Sequence, residues 1–299
     1  MAVSLANWDT KQFASDVILS FSEAGKIPMD SYVRKNTNES QVVFGQTSAV
    51  TVANVADGTS LADAGGSESA VTVQADNPLK GWVYIPTSVI STHGSVNALS
   101  NYATEIGSRL REKLDYRLIN LLATTSPTSV PFDDEAATDA LMAVEIATAL
   151  KTVSKNFDIA KTPVDGRFVA IHPTYFTTLY QVAGIRSGDF ISGADNAKPF
   201  QSLNFMGMTV ISFVGNFGVD TSADTTYDSK YRINMSVATG NKCWGVAWHR
   251  SALGVNFYEM PTVTEDFIPK EDQWLVKGRC LVGTGLLRGA GFRQIIVGD

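Results

Sequence analysis

From Leu99 to Leu121 the chain carries Leu99, Ala103, Ile106, Leu110, Leu114, Leu118 and Leu121 at intervals of three or four. That period is the apolar stripe of an amphipathic helix. Glu105, Arg109, Arg111, Glu112, Lys113, Asp115 and Arg117 fall between the stripe positions, and the pairs Glu105/Arg109 and Arg111/Asp115 are spaced for helical ion pairs on a solvated or interfacial face. Ser95 suits the N-cap. The spacing predicts a helix over 96–123, which at about 1.5 Å per residue is ~42 Å long, the length of a strut.

The flanking sequence changes period. Phe13, Val17 and Phe21 predict a short helix after Asp9 or Thr10, closed by Gly25 and Pro28. From Gln41 to Val55 apolar and small polar residues alternate as in a strand. Ala56 to Ala70 has no aromatic, Lys or Arg, and Val71–Ala75 and Gly81–Pro86 read as returning strands. The result is a long two-stranded excursion whose tip has nothing to bury by itself. After the strut, a helix over 136–154 begins at the acidic run Asp133–Glu135, which suits a helix N-terminus. Strands are expected at 167–171, 208–214, 242–248, 255–259, 273–282 and 292–297, with a helix from Pro173 to Gln181 and a polar insertion over 219–230.

The chemistry of enzymes is hard to find in this text. His93, His172 and His249 stand in unrelated contexts, and the sequence has no nucleophile elbow or phosphate-loop lysine. Gly283–Gly289 (GTGLLRG) has glycines but the wrong spacing for a phosphate loop, and reads as a bulged strand or close-packed turn. Cys243 and Cys280 are far apart, which indicates neither zinc nor a disulfide framework and suits a reducing cytoplasm. Hydrophobic residues at 44% and charged residues at 18% are globular proportions. With 24 Lys+Arg against 30 Asp+Glu, the net charge of −6 argues against a dedicated nucleic-acid binder. Neither a secretion signal nor a membrane span is expected, nor a removed N-terminal prosegment.

The order of parts, with GVAWHRSALGVNFYEMP (Gly245–Pro261) and WLVKGRCLVGTGLLRGAGFRQIIV (Trp274–Val297), resembles the major capsid proteins of tailed bacteriophages, in particular short-tailed phage coats. Gly289 departs from the resemblance, standing where proline is frequent. The resemblance implies an α+β chain of the Hong Kong 97 type: an N-terminal arm (1–40), an extended two-stranded loop (41–86), a peripheral domain (87–170) holding the spine helix (96–123), an axial domain (171–260), and return strands of the peripheral domain with the C-terminus (261–299). It implies a structural protein without cofactor, metal or catalytic site. That protein would assemble in the host bacterial cytoplasm into hexamers and pentamers of an icosahedral virion capsid. Portal and scaffolding proteins, a decoration protein and packaged double-stranded DNA held without sequence-specific binding are its implied partners, and no membrane is. Encapsulin nanocompartment shells share the fold and are the nearest alternative. A cytosolic hydrolase using His249 is a distant one.

A shell subunit must contact copies of itself by heterologous surfaces. The acidic loop tip, with Asp57, Asp63 and Glu68, is expected to meet Arg109, Arg111, Lys113 and Arg117 on a neighbour's spine, with Arg111 dispensable for folding. Some members of the resembled family join a loop lysine to a neighbour's asparagine. Here Lys80 is the only lysine between Gln41 and Pro86, beside Pro78 and Gly81, so a turn role and a non-covalent shell are expected.

Overall fold

A computed structural model describes residues 10–37, 39–47, 68–75, 78–88, 96–124, 128–133, 135–136, 138–179, 202–213 and 243–298. The expected N-cap Ser95, the loop tip except for the start of its return strand, and the insertion over 219–230 lie outside the described residues.

The predicted strut is α2 (Val96–Thr124), which follows the arm helix α1 (Thr10–Glu23) in chain order. On α2 the stripe residues Ala103, Ile106, Leu110, Leu114 and Leu118 are buried, as are Phe13, Val17 and Phe21 of α1. The spine buries more than one stripe, since Arg111, Asp115, Arg117 and Ile119 are also enclosed. Glycine lets its neighbours come this close. A Cβ on Gly107 would lie 2.4 Å from the Val17 carbonyl oxygen of α1, and one on Gly278 would lie 2.6 Å from Ile106. Spine glycine therefore meets arm backbone, and sheet glycine meets the Ile106 side chain of the spine, at this crossing.

The strands β1 (Val33–Asn36), β2 (Gln41–Thr47), β3 (Glu68–Gln74) and β4 (Leu79–Pro86) precede the spine, whereas β10 (Leu253–Ile268) and β11 (Gln273–Leu286) come late in the chain. Four of them form one sheet in the order β1-β10-β11-β4. The ribbon β2/β3 pairs separately, antiparallel, from Gln41↔Gln74 to Thr47↔Glu68. The expected excursion is thus shorter than 41–86: β4 leaves it and hydrogen-bonds to β11, Trp82 opposite Lys277. Lys80 consequently sits in a strand opposite Arg279, not in a turn.

Along β11 the even positions Val276, Gly278, Cys280 and Val282 are buried toward the spine. Odd positions face the other way. Gly283 and Gly285 are among these, and a Cβ on them would lie 2.5 Å from the Gln74 carbonyl oxygen and 2.6 Å from Val73. The ribbon therefore rests its root on the outer face of its own sheet, sealed by Val42, Phe44, Val73 and Leu287. Gly283 of GTGLLRG makes room for ribbon backbone and Gly285 for the Val73 side chain, as a close-packed strand requires. Gly289 has open space around its missing Cβ and φ outside the left-handed region.

A second sheet of six strands runs β5-β12-β9-β6-β8-β7. Its members are β5 (Thr128–Phe132), β6 (Arg167–Ile171), β7 (Ser202–Phe205), β8 (Met208–Ser212), β9 (Cys243–His249) and β12 (Arg293–Gly298). Helices α3 (Asp139–Ile159) and α4 (Pro173–Leu179) share a core with one face, which includes Leu150, Phe157, Phe176 and Ile296. The other face joins the spine core through Phe168, Trp248, Ile295 and Val297. Thr138 caps α3 by accepting from the Leu141 amide, so the acidic run Asp133–Glu135 precedes the helix and does not form its first turn. The expected boundary at 170/171 separates β6 from its partners β8 and β9. The boundary at 260/261 cuts β10. Hydrogen bonding across strands, not chain order, defines these layers.

Gly107→Val should place a branched side chain against the α1 backbone and lower stability by about 3 kcal/mol in urea denaturation. Gly45→Ala, with no atom within 4 Å of its Cβ, should leave the midpoint unchanged within error.

Candidate interaction site

The spine cations expected to face a partner divide into two groups. Arg111 is 1% exposed. Its Nε lies 3.2 Å from Asp115 Oδ1, and its Nη2 donates to the Ile27 carbonyl. Asp115 Oδ2 in turn accepts from the backbone amides of Lys26 (2.6 Å) and Ile27 (3.3 Å). Gly25 must be glycine beside this pair, since its Cβ would overlap the Arg111 guanidinium. Arg117 is also buried, its Nε donating to Thr284 Oγ1 at 2.7 Å and its Nη1 to the Val282 carbonyl at 3.1 Å. Both side chains hold the subunit together, so neither is open to a neighbour. The i,i+4 pairing that suggested a solvated face is enclosed by the arm.

Arg109 is exposed and bridges Glu105 (2.8 Å) and Glu112 (3.0 Å). Lys113 lies over the Tyr116 ring, 5.0 Å from its centre. Beside them opens a groove of about 350 Å³ lined by Lys26, Glu105, Arg109, Glu112, Tyr116 and Phe213. Glu68 opens β3 opposite Thr47, whereas Asp57 and Asp63 lie outside the described residues.

A larger accessible surface is the outer face of the four-stranded sheet. Lys80, Trp82, Tyr84 and Pro86 alternate with the spine-facing Gly81, Val83 and Ile85, and Trp82 is 61% exposed. Opposite them on the same face stand Arg279, Lys277, Leu275 and Gln273. Lys277 pairs with Asp266 and Arg279 with Glu259, each at 2.8 Å. β4 is also an edge strand of its sheet. This aromatic area, with its internally paired Lys277 and Arg279, thus begins where the subunit's own ribbon ends. The stretch GWVYIP showed a strand, but which side stays open depends on β11 and the spine.

Neither His249 nor either cysteine is poised as a catalytic group. His249 Nδ1 is 2.8 Å from Ser251 Oγ and Nε2 is 2.9 Å from the Asp165 carbonyl, so both ring nitrogens are engaged. Burial pushes the free thiols of Cys243 and Cys280 up to about 12, far from thiolate chemistry. Among the described residues no cluster of His, Cys, Asp and Glu is arranged to hold a metal, and no helix is long and apolar enough to cross a membrane.

The family model described as phage capsid protein matches residues 89–295. No curated protein matches the sequence. Among solved structures, the capsid of cyanophage P-SCSP1u is similar with a TM-score of 0.68 at 18% identity, over 90% of this chain and 87% of that one. The mature capsid of bacteriophage PhiM1 gives 0.64 at 11% identity, over 90% and 86%. A virus-like particle from Pyrococcus furiosus gives 0.54 at 11% identity, over 97% and 98%. These likenesses show the fold, the Hong Kong 97 type α+β arrangement expected from the order of parts.

Removing Arg111 strands a buried carboxylate, so Arg111→Ala should lower stability by about 3 to 5 kcal/mol in urea denaturation, contrary to the expected dispensability. Burial pushes Asp115 up to about 6 from an ordinary 3.8, against the pull of Arg111 and of the two amides. With the folded value above the unfolded one, Asp115 favours folding most below pH 3.8 and loses that contribution as pH rises through about 6. Asp115→Asn should therefore flatten the fall in urea midpoint between pH 4 and pH 7.

Proposed function

The chain belongs to the phage capsid protein family, so it is a subunit of a capsid shell, and on that premise we propose that its copies close into an icosahedral capsid of hexamers and pentamers around the double-stranded DNA of a tailed phage. The observation that carries the reading is the outer sheet face. One end of it already holds the subunit's own β2/β3 ribbon at Gly283 and Gly285. The other end presents Trp82, Tyr84 and Lys80 without a covering element among the described residues. A ribbon from the next copy, seated on that free end, is a heterologous contact of the kind that closes rings. Exposed aromatic residues such as Trp82 and Tyr84 suit the centre of such an interface.

The acidic sequence Ala56–Ala70 suits Lys80 on this face, whereas Arg111 and Arg117 of the spine are bonded internally. Arg109, Lys113 and Glu68 remain candidates for contact with a neighbour, together with Asp57 and Asp63 at the tip. Spine and four-stranded sheet form the peripheral domain, and the six-stranded sheet with α3 and α4 forms the axial domain. The shell is structural, assembles in the bacterial cytoplasm and is held without covalent links. Portal and scaffolding proteins are its partners in assembly, with a decoration protein as a further candidate, and its net charge of −6 suits a wall that stores DNA without gripping it.

Trp82→Ala should leave the subunit folded by circular dichroism, because the side chain is mostly exposed, yet reduce particle formation at least roughly tenfold, as loss of an aromatic anchor does. Light scattering on purified protein reads the outcome. Particles formed at wild-type concentration would remove the sheet face from the interface, and a wild type that stays monomeric would overturn the shell reading itself.

A further inference from the structure

Among the described residues, buried arginines are bonded within the chain with one exception. Arg111 and Arg117 hold the arm and the sheet as described, and Arg167 donates to Asp158 Oδ1 at 2.8 Å and to the Pro163 carbonyl at 2.9 Å. Arg293 is different. It is 5% exposed, opens β12 opposite Trp248, and neither its Nε nor its Nη1 has a hydrogen-bond partner. Its third nitrogen, Nη2, is the one not enclosed. The next residue, Gln294, satisfies the other side of the strand by bonding Asn156 and the Val153 carbonyl. Arg293 points with Ile295 and Val297 toward the spine side of the sheet.

A guanidinium cannot shed its proton at working pH, so a buried one without an acceptor needs a counter-charge from somewhere. Among the described residues no carboxylate is hydrogen-bonded to its Nε or Nη1, whereas Arg167 has Asp158 and Arg250 has Asp165. We propose that Arg293 is a docking point for a side-chain carboxylate of a second copy of this chain, which completes the guanidinium when subunits join. The proposal rests on the shell reading above. A single recessed fork suits one planar carboxylate. Duplex phosphates are instead met by open strips of cations, whereas Arg293 is 5% exposed. Each copy carries 30 acidic residues against 24 basic ones, so a neighbour has carboxylates to offer.

Arg293→Met tests the idea because free subunit and assembly should respond in opposite directions. The isolated variant subunit, relieved of a stranded charge, should keep or raise its Tm. The concentration needed for assembly should rise roughly tenfold or more, as expected for losing a charge-assisted hydrogen bond. Unchanged assembly, or a subunit that is less stable or unfolded, would overturn the proposal. A structure of the wild-type particle decides independently. It should place a neighbour's Asp or Glu oxygen about 3 Å from Arg293; phosphate or water alone there would refute the assignment. Wild-type particles are sized first, so that a protein which never assembles removes the shell reading together with the proposal, whereas particles lacking this contact remove the proposal alone.

Discussion

The buried Arg111–Asp115 pair is the joint on which the subunit depends. Two charges out of water add little net stability, but they are intolerant of mispairing. Asp115 needs the Lys26 and Ile27 amides, and Arg111 needs the Ile27 carbonyl. The turn after α1 can satisfy them only at one position along the spine. Gly25 and Gly107 have no side chain that would hold the arm away. The arm is thus fixed in register as well as attached, and Trp248 repeats the constraint farther on by donating to the Ser31 carbonyl at 2.8 Å.

With the arm on one side of the spine and the long sheet on another, the sheet keeps its outer face and its edge strand β4 open among the described residues. The same chain lays its ribbon over part of that face at Gly283 and Gly285. A subunit built this way keeps a rigid centre and carries its aromatic and charged contacts on the periphery. In the proposed shell that division would let copies meet in slightly different geometries without repacking the core, whose close packing resists continuous deformation.

Elements whose burial follows one simple period were legible in the sequence. The spine stripe, the Phe13/Val17/Phe21 face of α1 and the wholly buried strand Arg167–Ile171 stand where expected. β10 extends to Ile268, well past the expected Glu259, because its outer positions Thr262, Thr264 and Asp266 are polar and dilute the apolar signal. β5 was hidden by Pro131 and by its largely exposed positions. β1 and β7 span only four residues each. The candidate contacts were less legible. An i,i+4 pair of opposite charge looks the same in sequence whether solvent or an arm covers it, so Arg111 read as surface. Trp82 and Tyr84 were visible as strand residues, but their exposure is decided by β11, nearly two hundred residues away in sequence.

The central claim is that a folded, rigid subunit offers the outer sheet face to a neighbour. Amide hydrogen exchange on free subunits and on assembled particles tests it most directly. Amides of α1 and of the spine around Arg111 should be protected in both states, whereas those of the edge strand β4 should become protected only in the particle. Equal exchange of β4 in the two states, or a spine that gains protection only on assembly, would contradict the account.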